Sequence, residues 1–270
     1  MMWKLLVRNA FRHKLRSLLT IFGVAVAVLA FGLLRTVMDA WYAGVSAAAA
    51  NRLIIRNAIS LTFFLPIAYG DKIRAVDGVE AVSHMSWFGG IYIDRKNFFA
   101  NFAVDAKSYL ELYPEFVVPE DQKDTFVRDR KGCVVGRGLA RRFGWQVGDP
   151  ITLQGTIFAG DWPLTVRAIY TGRDQSIDEN QLFFHWDYLN ERLKAVSPRR
   201  ANYAGIFIIR ISDPDAAASV SAALDALFSN SLAETLTETE RAFQLGFVSM
   251  SEAILMAIRM VSFLLTGIIM

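Results

Sequence analysis

An uncharged run near the N-terminus is the feature that most constrains this chain. Residues 17–34 are 18 consecutive residues without a charged side chain. As a helix they extend about 27 Å, close to the ~30 Å hydrocarbon core of a bilayer. The run exceeds the roughly 7–15 apolar residues of a signal peptide, and Arg35 and Asp39 follow it. We predict a transmembrane helix; the alternative is a signal peptide cleaved among the small residues at 43–50.

The basic residues before this run predict its orientation. Residues 1–16 hold five of the chain's 29 basic side chains and no acidic one, which leaves 24 basic against 26 acidic residues elsewhere. Positive charge flanking a span stays on the cytoplasmic side, so we expect residue 40 onward to lie outside the cytoplasm. A nucleic-acid partner is not expected, because the excess positive charge is confined to this short arm.

The arm and the run each carry a helical pattern. Basic residues recur every four positions and would share one helix face, with apolar residues on the other. We interpret the arm as an interfacial helix whose cations contact lipid phosphates or a cytoplasmic partner; a simple topology signal is the alternative. The contact residues are Arg8, Arg12, Lys14 and Arg16. Small residues recur at helical spacing within the run and would form a helix-packing face of Thr20, Gly23, Ala27 and Ala30. The alternative is that this spacing arises by chance.

The C-terminal segment resembles the start of a second span. Thr237 and Glu240 match a capping box, which predicts a helix that continues toward the C-terminus. After Arg259 only 11 uncharged residues remain, and they cover about 16 Å, half a bilayer. We therefore expect a fragment whose membrane portion continues; a short amphipathic terminal helix is the alternative.

The region between these segments has the pattern of an α+β domain. Its elements alternate irregularly, which favours α+β over a doubly wound parallel sheet. We predict strands at 53–56, 79–82, 133–135, 151–153, 164–170 and 206–211. We predict helices at 66–76, 138–143 and 216–228, the second closed by Gly144.

Catalytic and metal-binding patterns are missing from the sequence. No phosphate-binding loop occurs, and His13, His84 and His185 are too far apart for a recognisable zinc motif. Cys133 is interpreted as a buried strand thiol. The acidic group Asp174, Asp178 and Glu179 is interpreted as a solvated loop. The apolar group Trp87, Phe88, Ile91 and Tyr92 is either core or a contact surface. We expect no catalytic, cofactor or metal site in this chain.

Three segments of the sequence occur in the same order as in one known family of membrane proteins. Residues 8–23, RNAFRHKLRSLLTIFG, are similar to the opening signature of that family. Val79 and Val82 match a Val-x-x-Val strand. Residues 135–140, with Gly144 and the Gly-Asp turn at 148–149, resemble the periplasmic core-domain pattern. Together these segments resemble FtsX/MacB-type ABC transporter permeases, and the resemblance covers nearly the whole chain.

The resemblance implies a permease of the bacterial inner membrane, with an N-terminal cytoplasmic helix at 1–16 and a span at 17–34. An extracytoplasmic core domain with helical stalk ends would occupy 35–240, and 241–270 would begin a second span. The chain departs from the family by lacking the third and fourth spans. Implied partners are a cytoplasmic ATPase that binds ATP and Mg²⁺, a second permease in a homodimer or heterodimer, membrane lipid and, in some members, a periplasmic adaptor.

The implied activity is the coupling of ATP hydrolysis in the partner to work outside the membrane: export, lipoprotein extraction or regulation of cell-wall hydrolases. Rigid helices at 35–48 and 237–252 would carry the motion. The alternative from another class is a bitopic membrane sensor whose outer domain binds a ligand. A secreted binding protein is a third reading, which requires cleavage at 43–50.

Overall fold

The computed structural model describes residues 49–246 and, before them, residues 14, 15, 17–19, 21–23, 25, 26, 28–30, 32, 33 and 36. The chain divides into two units. Residues 47–243 form one, here called the body, and residues 1–46 group with 244–270 in the other. The described residues between 14 and 36 are helical.

The body is a mixture of strands and short helices, which confirms the predicted α+β class. Its strands are β1 (Arg52–Asn57), β2 (Leu65–Pro66), β3 (Val79–Trp87), β4 (Ile91–Tyr92), β5 (Ala100–Val104), β6 (Phe116–Val117), β7 (Gly132–Gly136), β8 (Pro150–Gly155), β9 (Gly160–Gly172), β10 (Gln181–His185), β11 (Tyr203–Ala204), β12 (Ile206–Ile211) and β13 (Thr235–Thr239). Its helices are α1 (Tyr69–Arg74), α2 (Tyr109–Leu112), α3 (Glu120–Arg128), α4 (Arg137–Phe143), α5 (Trp186–Val196) and α6 (Ala217–Phe228).

One large sheet runs through the body. Its strands follow the order β13-β1-β12-β3-β5-β10-β7-β9-β8-β4, with β6 added beside β9, and β2 pairs separately with β11. The pairs β5–β10 and β7–β9 are parallel, whereas the other neighbours are antiparallel. A mixed sheet with mostly antiparallel neighbours is typical of the α+β class.

The first four strands of that order form two split β-α-β units. β1, α1 and β3 make the first unit, and β12, α6 and β13 make the second, in the ferredoxin-like order β13-β1-β12-β3. Residues 88–205 are inserted between β3 and β12 and supply the rest of the sheet. Because Leu53 pairs with Thr239, the start of β1 and the end of β13 lie side by side.

The sheet is covered on both faces, as β1 illustrates. Leu53 and Ile55 are fully buried in a cluster with side chains of α1 and α6. Ile54 points the other way and packs with Tyr109 and Tyr113. Since successive side chains of a strand alternate between faces, an unbroken apolar run indicates a strand buried on both sides.

Several predicted elements are confirmed within one or two residues. β1, β7, β12 and α4 lie where the sequence indicates, and Gly144 closes α4 with a φ of 72°, the left-handed conformation that glycine adopts without strain. The aromatic group is divided: Phe88 is fully buried, whereas Trp87 is 41% exposed.

Two helix predictions are corrected. The helix predicted from residue 66 begins at Tyr69, because Leu65–Pro66 pairs with β11; proline lacks an N–H and suits such a two-stranded edge. The prediction that Thr237 and Glu240 form a capping box at the start of a helix is wrong, because β13 continues through Thr239. Helical structure begins at residue 240, and the Thr239 hydroxyl oxygen accepts the backbone N–H of Ala242 at 3.2 Å, so Thr239 is the capping residue.

Candidate functional site

The residues predicted to contact lipid or a partner are only partly described. Lys14, Gly23 and Ala30 are helical and exposed, and a β-carbon added at Gly23 would meet no atom within 4 Å. The remaining members of the two predicted groups lie outside the described residues: Arg8, Arg12, Arg16, Thr20 and Ala27. The lipid or partner contact of the basic residues and the helix packing of the small residues therefore stay predictions.

Segment 17–34 is described only in part. Among the described residues, no helix is both long enough and apolar enough to span a membrane. The large apolar side chains described between residues 15 and 33 are exposed, from 48% at Val26 to 72% at Leu15. The C-terminal apolar segment, 260–270, lies outside the described residues.

A buried ion cluster joins the two ends of the body, and we call it the exit cluster: Arg52, Tyr113, Glu115 and Glu240. The Arg52 side chain donates from Nε to Glu240 at 2.7 Å and from Nη2 to Glu115 at 2.5 Å. Its Nη1 donates to the backbone carbonyl of Leu112 at 2.6 Å. The guanidinium also lies over the Tyr113 ring, 4.0 Å from its centroid.

Burial makes these contacts strong. The exposed fraction is 3% for Arg52, 7% for Glu115 and 4% for Glu240. Burial acts to lower the pKa of Arg52, but the hydrogen bond with Glu115 and the charge of Glu240 raise it above its ordinary value. Burial and the charge of Glu240 raise the pKa of Tyr109 and that of Tyr113, so these phenols stay protonated.

The strand that leads to the exit cluster is held on both sides. Arg56 of β1 pairs with Glu238 of β13 at 2.7 Å. On the other side, the Asp225 carboxylate of α6 accepts the Thr235 hydroxyl at 2.9 Å and the Thr237 hydroxyl at 2.7 Å. It also accepts the Thr237 backbone N–H at 3.1 Å. β13 is therefore fixed to β1 and to α6 along its length.

This arrangement suits mechanical coupling. Arg52 begins the first strand of the body, and Glu240 is the first residue after the last strand. Arg52 binds Glu240 and also Glu115 and Leu112, which belong to the inserted segment. The Arg52 guanidinium thus contacts three segments: the start of β1, the residue after β13 and the inserted segment. A displacement of the chain before β1 or after β13 would act on this one buried group.

Sequence patterns alone do not predict the exit cluster. Arg52 and Arg56 flank an apolar run, and strand periodicity places both on the face of Ile54. The spacing of these two arginines is the local sign in the sequence that a charged group lies on this face of β1. It does not identify the partners, because Glu115 and Glu240 are 63 and 188 positions from Arg52 along the chain.

The cysteine and the acidic residues, whose side chains could in principle take part in catalysis or metal binding, have structural surroundings. Cys133 is buried in β7, as predicted, and burial raises the pKa of its thiol. The acidic residues of loop 173–180 lie in the predicted solvated loop, where Asp174 and Asp178 are exposed. All three accept backbone N–H groups: Asp174, Asp178 and Glu179. Within the described parts of the chain, no three His, Cys, Asp or Glu side chains are placed to hold a metal ion.

The two histidines of the body are buried among aromatic rings. His84 makes an edge contact with Trp186 at 4.7 Å between ring centroids. Its Nε2 has no hydrogen-bond partner within the described residues. His185 contacts the Phe126 carbonyl through Nε2 at 2.7 Å. Burial lowers the pKa of both imidazoles.

This fold is found in solved structures of other proteins, of which two have a TM-score of 0.51. The extracellular domain of the noncanonic ABC-type transporter YknZ from Gram-positive bacteria has a TM-score of 0.51 at 13% identity, over 70% of this chain and 99% of that one. The periplasmic region of MacB from Actinobacillus actinomycetemcomitans has a TM-score of 0.51 at 12% identity, over 74% and 94%. Identity this low shows the fold alone.

Sequence comparison gives the family. No curated protein sequence is significantly similar to this chain. The family model described as the MacB-like periplasmic core domain matches residues 17–227, most of the chain. The match confirms the resemblance drawn from the three sequence segments. This chain belongs to the family of MacB-like periplasmic core domains.

Proposed function

We propose that this chain is the permease subunit of an ABC transporter in the bacterial inner membrane. Residues 1–16 would lie at the cytoplasmic surface, 17–34 would span the membrane, 35–240 would work outside the cytoplasm, and 241–270 would begin a second span. Family membership supports this assignment. The 18 uncharged residues and the basic arm before them support the orientation.

The energy source in this proposal is a separate cytoplasmic ATPase, which would bind ATP and Mg²⁺. The chain itself would carry no catalytic group and no cofactor, in line with its lack of a phosphate-binding loop. Arg8, Arg12, Lys14 and Arg16 would contact the ATPase or lipid phosphates. Thr20, Gly23, Ala27 and Ala30 would pack against another helix, in a homodimer or a heterodimer with a second permease.

The role of the body would be to receive motion from the membrane segments. The observation that carries this step is the exit cluster, where Arg52 binds Glu240 and Glu115 in a buried site. A buried guanidinium with two carboxylates and a carbonyl is held in one geometry, so a shift of one segment is transmitted to the others. Export, lipoprotein extraction and regulation of an outer target all require this transmission.

The proposal is tested by purification of the gene product from its own locus. Membranes are solubilised in detergent, the tagged protein is recovered, and a copurifying ATPase is identified by mass spectrometry and ATP hydrolysis. We expect a phosphate-loop ATPase whose activity depends on the tagged protein. We also expect the double substitution Arg8→Glu and Arg12→Glu to reduce its recovery, whereas Lys107→Glu, on an exposed turn of the body, should not.

Two outcomes would contradict these assignments. Correct membrane insertion with no copurifying ATPase would favour the bitopic sensor. Unchanged recovery and topology in the double variant would show that the arm does not contact the ATPase, while leaving the permease assignment intact.

A further inference from the structure

A shallow groove on the inserted half of the body lies beside α4. Its volume is about 370 Å³, at the lower end of the range for small-ligand sites. It is lined by Arg137, Ala140, Arg141, Gly144, Trp145, Gln146 and Ile169. A groove of this size takes one end of a ligand rather than a whole lipid.

The floor of the groove is apolar. Ala140, Trp145 and Ile169 line it, and the Trp145 indole is held by its Nε1–H, which donates to the Tyr92 hydroxyl at 3.3 Å. Gly144 has a φ of 72°, and a β-carbon there would meet no atom within 4 Å, so the groove is open at that end. Such a floor favours a hydrocarbon segment over a polar one.

The rim carries two positively charged side chains that form no ion pair among the described residues. Arg137 and Arg141 are four residues apart on α4, so they lie on the same helix face, where like charges repel. Both are exposed, and within residues 49–246 neither side chain has a hydrogen-bond or ion-pair partner. By contrast, nearby Arg167 pairs with Asp129 at 2.7 Å. Residues 130–148 contain five basic side chains and no acidic one, and the carboxylate of the next residue, Asp149, accepts the backbone N–H of Gln146 at 2.8 Å.

The surface next to the groove is apolar and basic as well. Arg142 donates a hydrogen bond to the Lys96 carbonyl at 3.4 Å. The Tyr92 ring makes an edge-to-face contact with Trp145, with 4.9 Å between the ring centroids. These contacts place the loop 93–98 beside α4. In that loop Ile93 is 72% exposed at a φ of 61°, a conformation that β-branched residues rarely adopt, and Phe98 is 56% exposed.

We propose that this groove binds a single-chain amphiphile with an anionic headgroup. The phosphate or carboxylate would accept hydrogen bonds from Arg137 and Arg141, whose fork geometry suits both anions and whose mutual repulsion the anion would relieve. The alkyl chain would lie along Ala140, Trp145 and Ile169. The site is distant in sequence from the exit cluster and does not depend on the ATPase proposal.

The probe for the first experiment is octyl phosphate, titrated calorimetrically into the full chain in phosphatidylcholine nanodiscs, with empty nanodiscs subtracted. We expect saturable binding that the double substitution Arg137→Gln and Arg141→Gln weakens at least 10-fold. The matched control, Arg142→Gln, changes a neighbouring arginine that does not line the groove and should leave the affinity unchanged. Thermal unfolding should differ little among the variants, because all three side chains are exposed.

A second series separates the parts of the ligand. Octyl phosphate should bind at least 10-fold more tightly than ethyl phosphate, and octyl glucoside should not compete. If inorganic phosphate or ethyl phosphate binds as tightly as octyl phosphate, the groove is an anion site and the proposal is overturned. Equal affinity in the double variant and the wild type overturns it too.

The source of the amphiphile is distinguished by changing the membrane. If nanodiscs that also contain the single-chain lipid lysophosphatidylglycerol lower the apparent affinity for octyl phosphate in the wild type and not in the double variant, a membrane lipid reaches the groove. If the affinity is the same in both kinds of nanodisc, the ligand is a free amphiphile. Either result supports the groove as the binding site.

Discussion

Arg52 is the residue on which most of the contacts at the exit depend. It is almost fully buried, and so are the two carboxylates that it binds. Removing charged groups from water is costly, and only excellent geometry offsets that cost, so the pairing is fragile to the loss of one partner. Glu115 and Glu240 would then remain as two buried like charges.

We expect Arg52→Met to reduce the free energy of unfolding by about 3–5 kcal/mol. The comparison is Arg56→Met, whose partner Glu238 is 24% exposed; it should cost about 1 kcal/mol or less. Urea unfolding of the full chain in detergent, followed by far-ultraviolet circular dichroism, measures both. Equal losses for the two variants would contradict the energetic role assigned to the exit cluster.

His84 makes the stability of the body depend on pH. Burial lowers its pKa, an effect that Arg74 reinforces and that Asp105 and Asp187 oppose. The unfolded chain therefore binds a proton more readily than the folded one between the ordinary pKa of about 6.5 and the lowered value. Stability should fall as pH falls through that window.

We expect His84→Phe to flatten the decline in unfolding free energy between pH 7 and pH 5. The ring contact with Trp186 would be kept, and the titrating group would be lost. One such group contributes at most about 1.4 kcal/mol per pH unit, and His185 should preserve part of the slope. Chemical unfolding at several pH values tests this; an unchanged slope would exclude His84 as a contributor.

Among the elements, β13 is an edge strand that needs protection. An edge strand exposes backbone groups that can pair with other chains. Asp225 of α6 accepts one of these, the N–H of Thr237, and binds both threonine hydroxyls as well. One carboxylate thereby fastens the last strand of the body to its covering helix.

We expect Asp225→Ala to destabilise the body by about 1–3 kcal/mol, since it leaves three donors without their acceptor. Hydrogen exchange should accelerate at Thr237 and along β13, with little change in β10. Asp225→Asn keeps an acceptor of the same shape and should have a smaller effect. If hydrogen exchange accelerated equally in all strands of the sheet, the contact of Asp225 would stabilise the whole body and not β13 in particular.

For the whole molecule, the ferredoxin-like order places the first and last strands of the body next to each other. The 118 residues between β3 and β12 can therefore vary without moving the two attachment points. The exit cluster links these points to the inserted segment through Glu115. This connection leads to a test of coupling that is separate from stability.

We expect Glu240→Leu to abolish nucleotide-dependent changes in the body, and Glu115→Leu to reduce them less. Each variant leaves Arg52 with one carboxylate, so their stabilities should be similar, but only Glu240→Leu releases the segment that follows β13. Hydrogen exchange at 112–117 provides the readout, measured in the proposed complex with the ATPase, with and without a non-hydrolysable nucleotide. Equal effects of the two variants would argue against transmission through Glu240.

Much of the architecture follows from local patterns in the sequence. The apolar run Leu53–Ile55 indicates a strand covered on both faces, and Gly144 ends α4 because it accepts a left-handed backbone without strain. The family resemblance also rests on local segments. These inferences succeed because the residues that decide them are neighbours in the chain.

Contacts between distant segments were decided only by the tertiary structure. Thr237 and Glu240 have the spacing of a capping box, yet pairing with β1 extends β13 through Thr239, and Glu240 binds Arg52 instead. By itself the sequence determined the α+β class, the family and the basic arm before an apolar run. The exit cluster and the arginine-rimmed groove required the fold, because the free energy of a buried charge depends on partners that chain spacing does not encode.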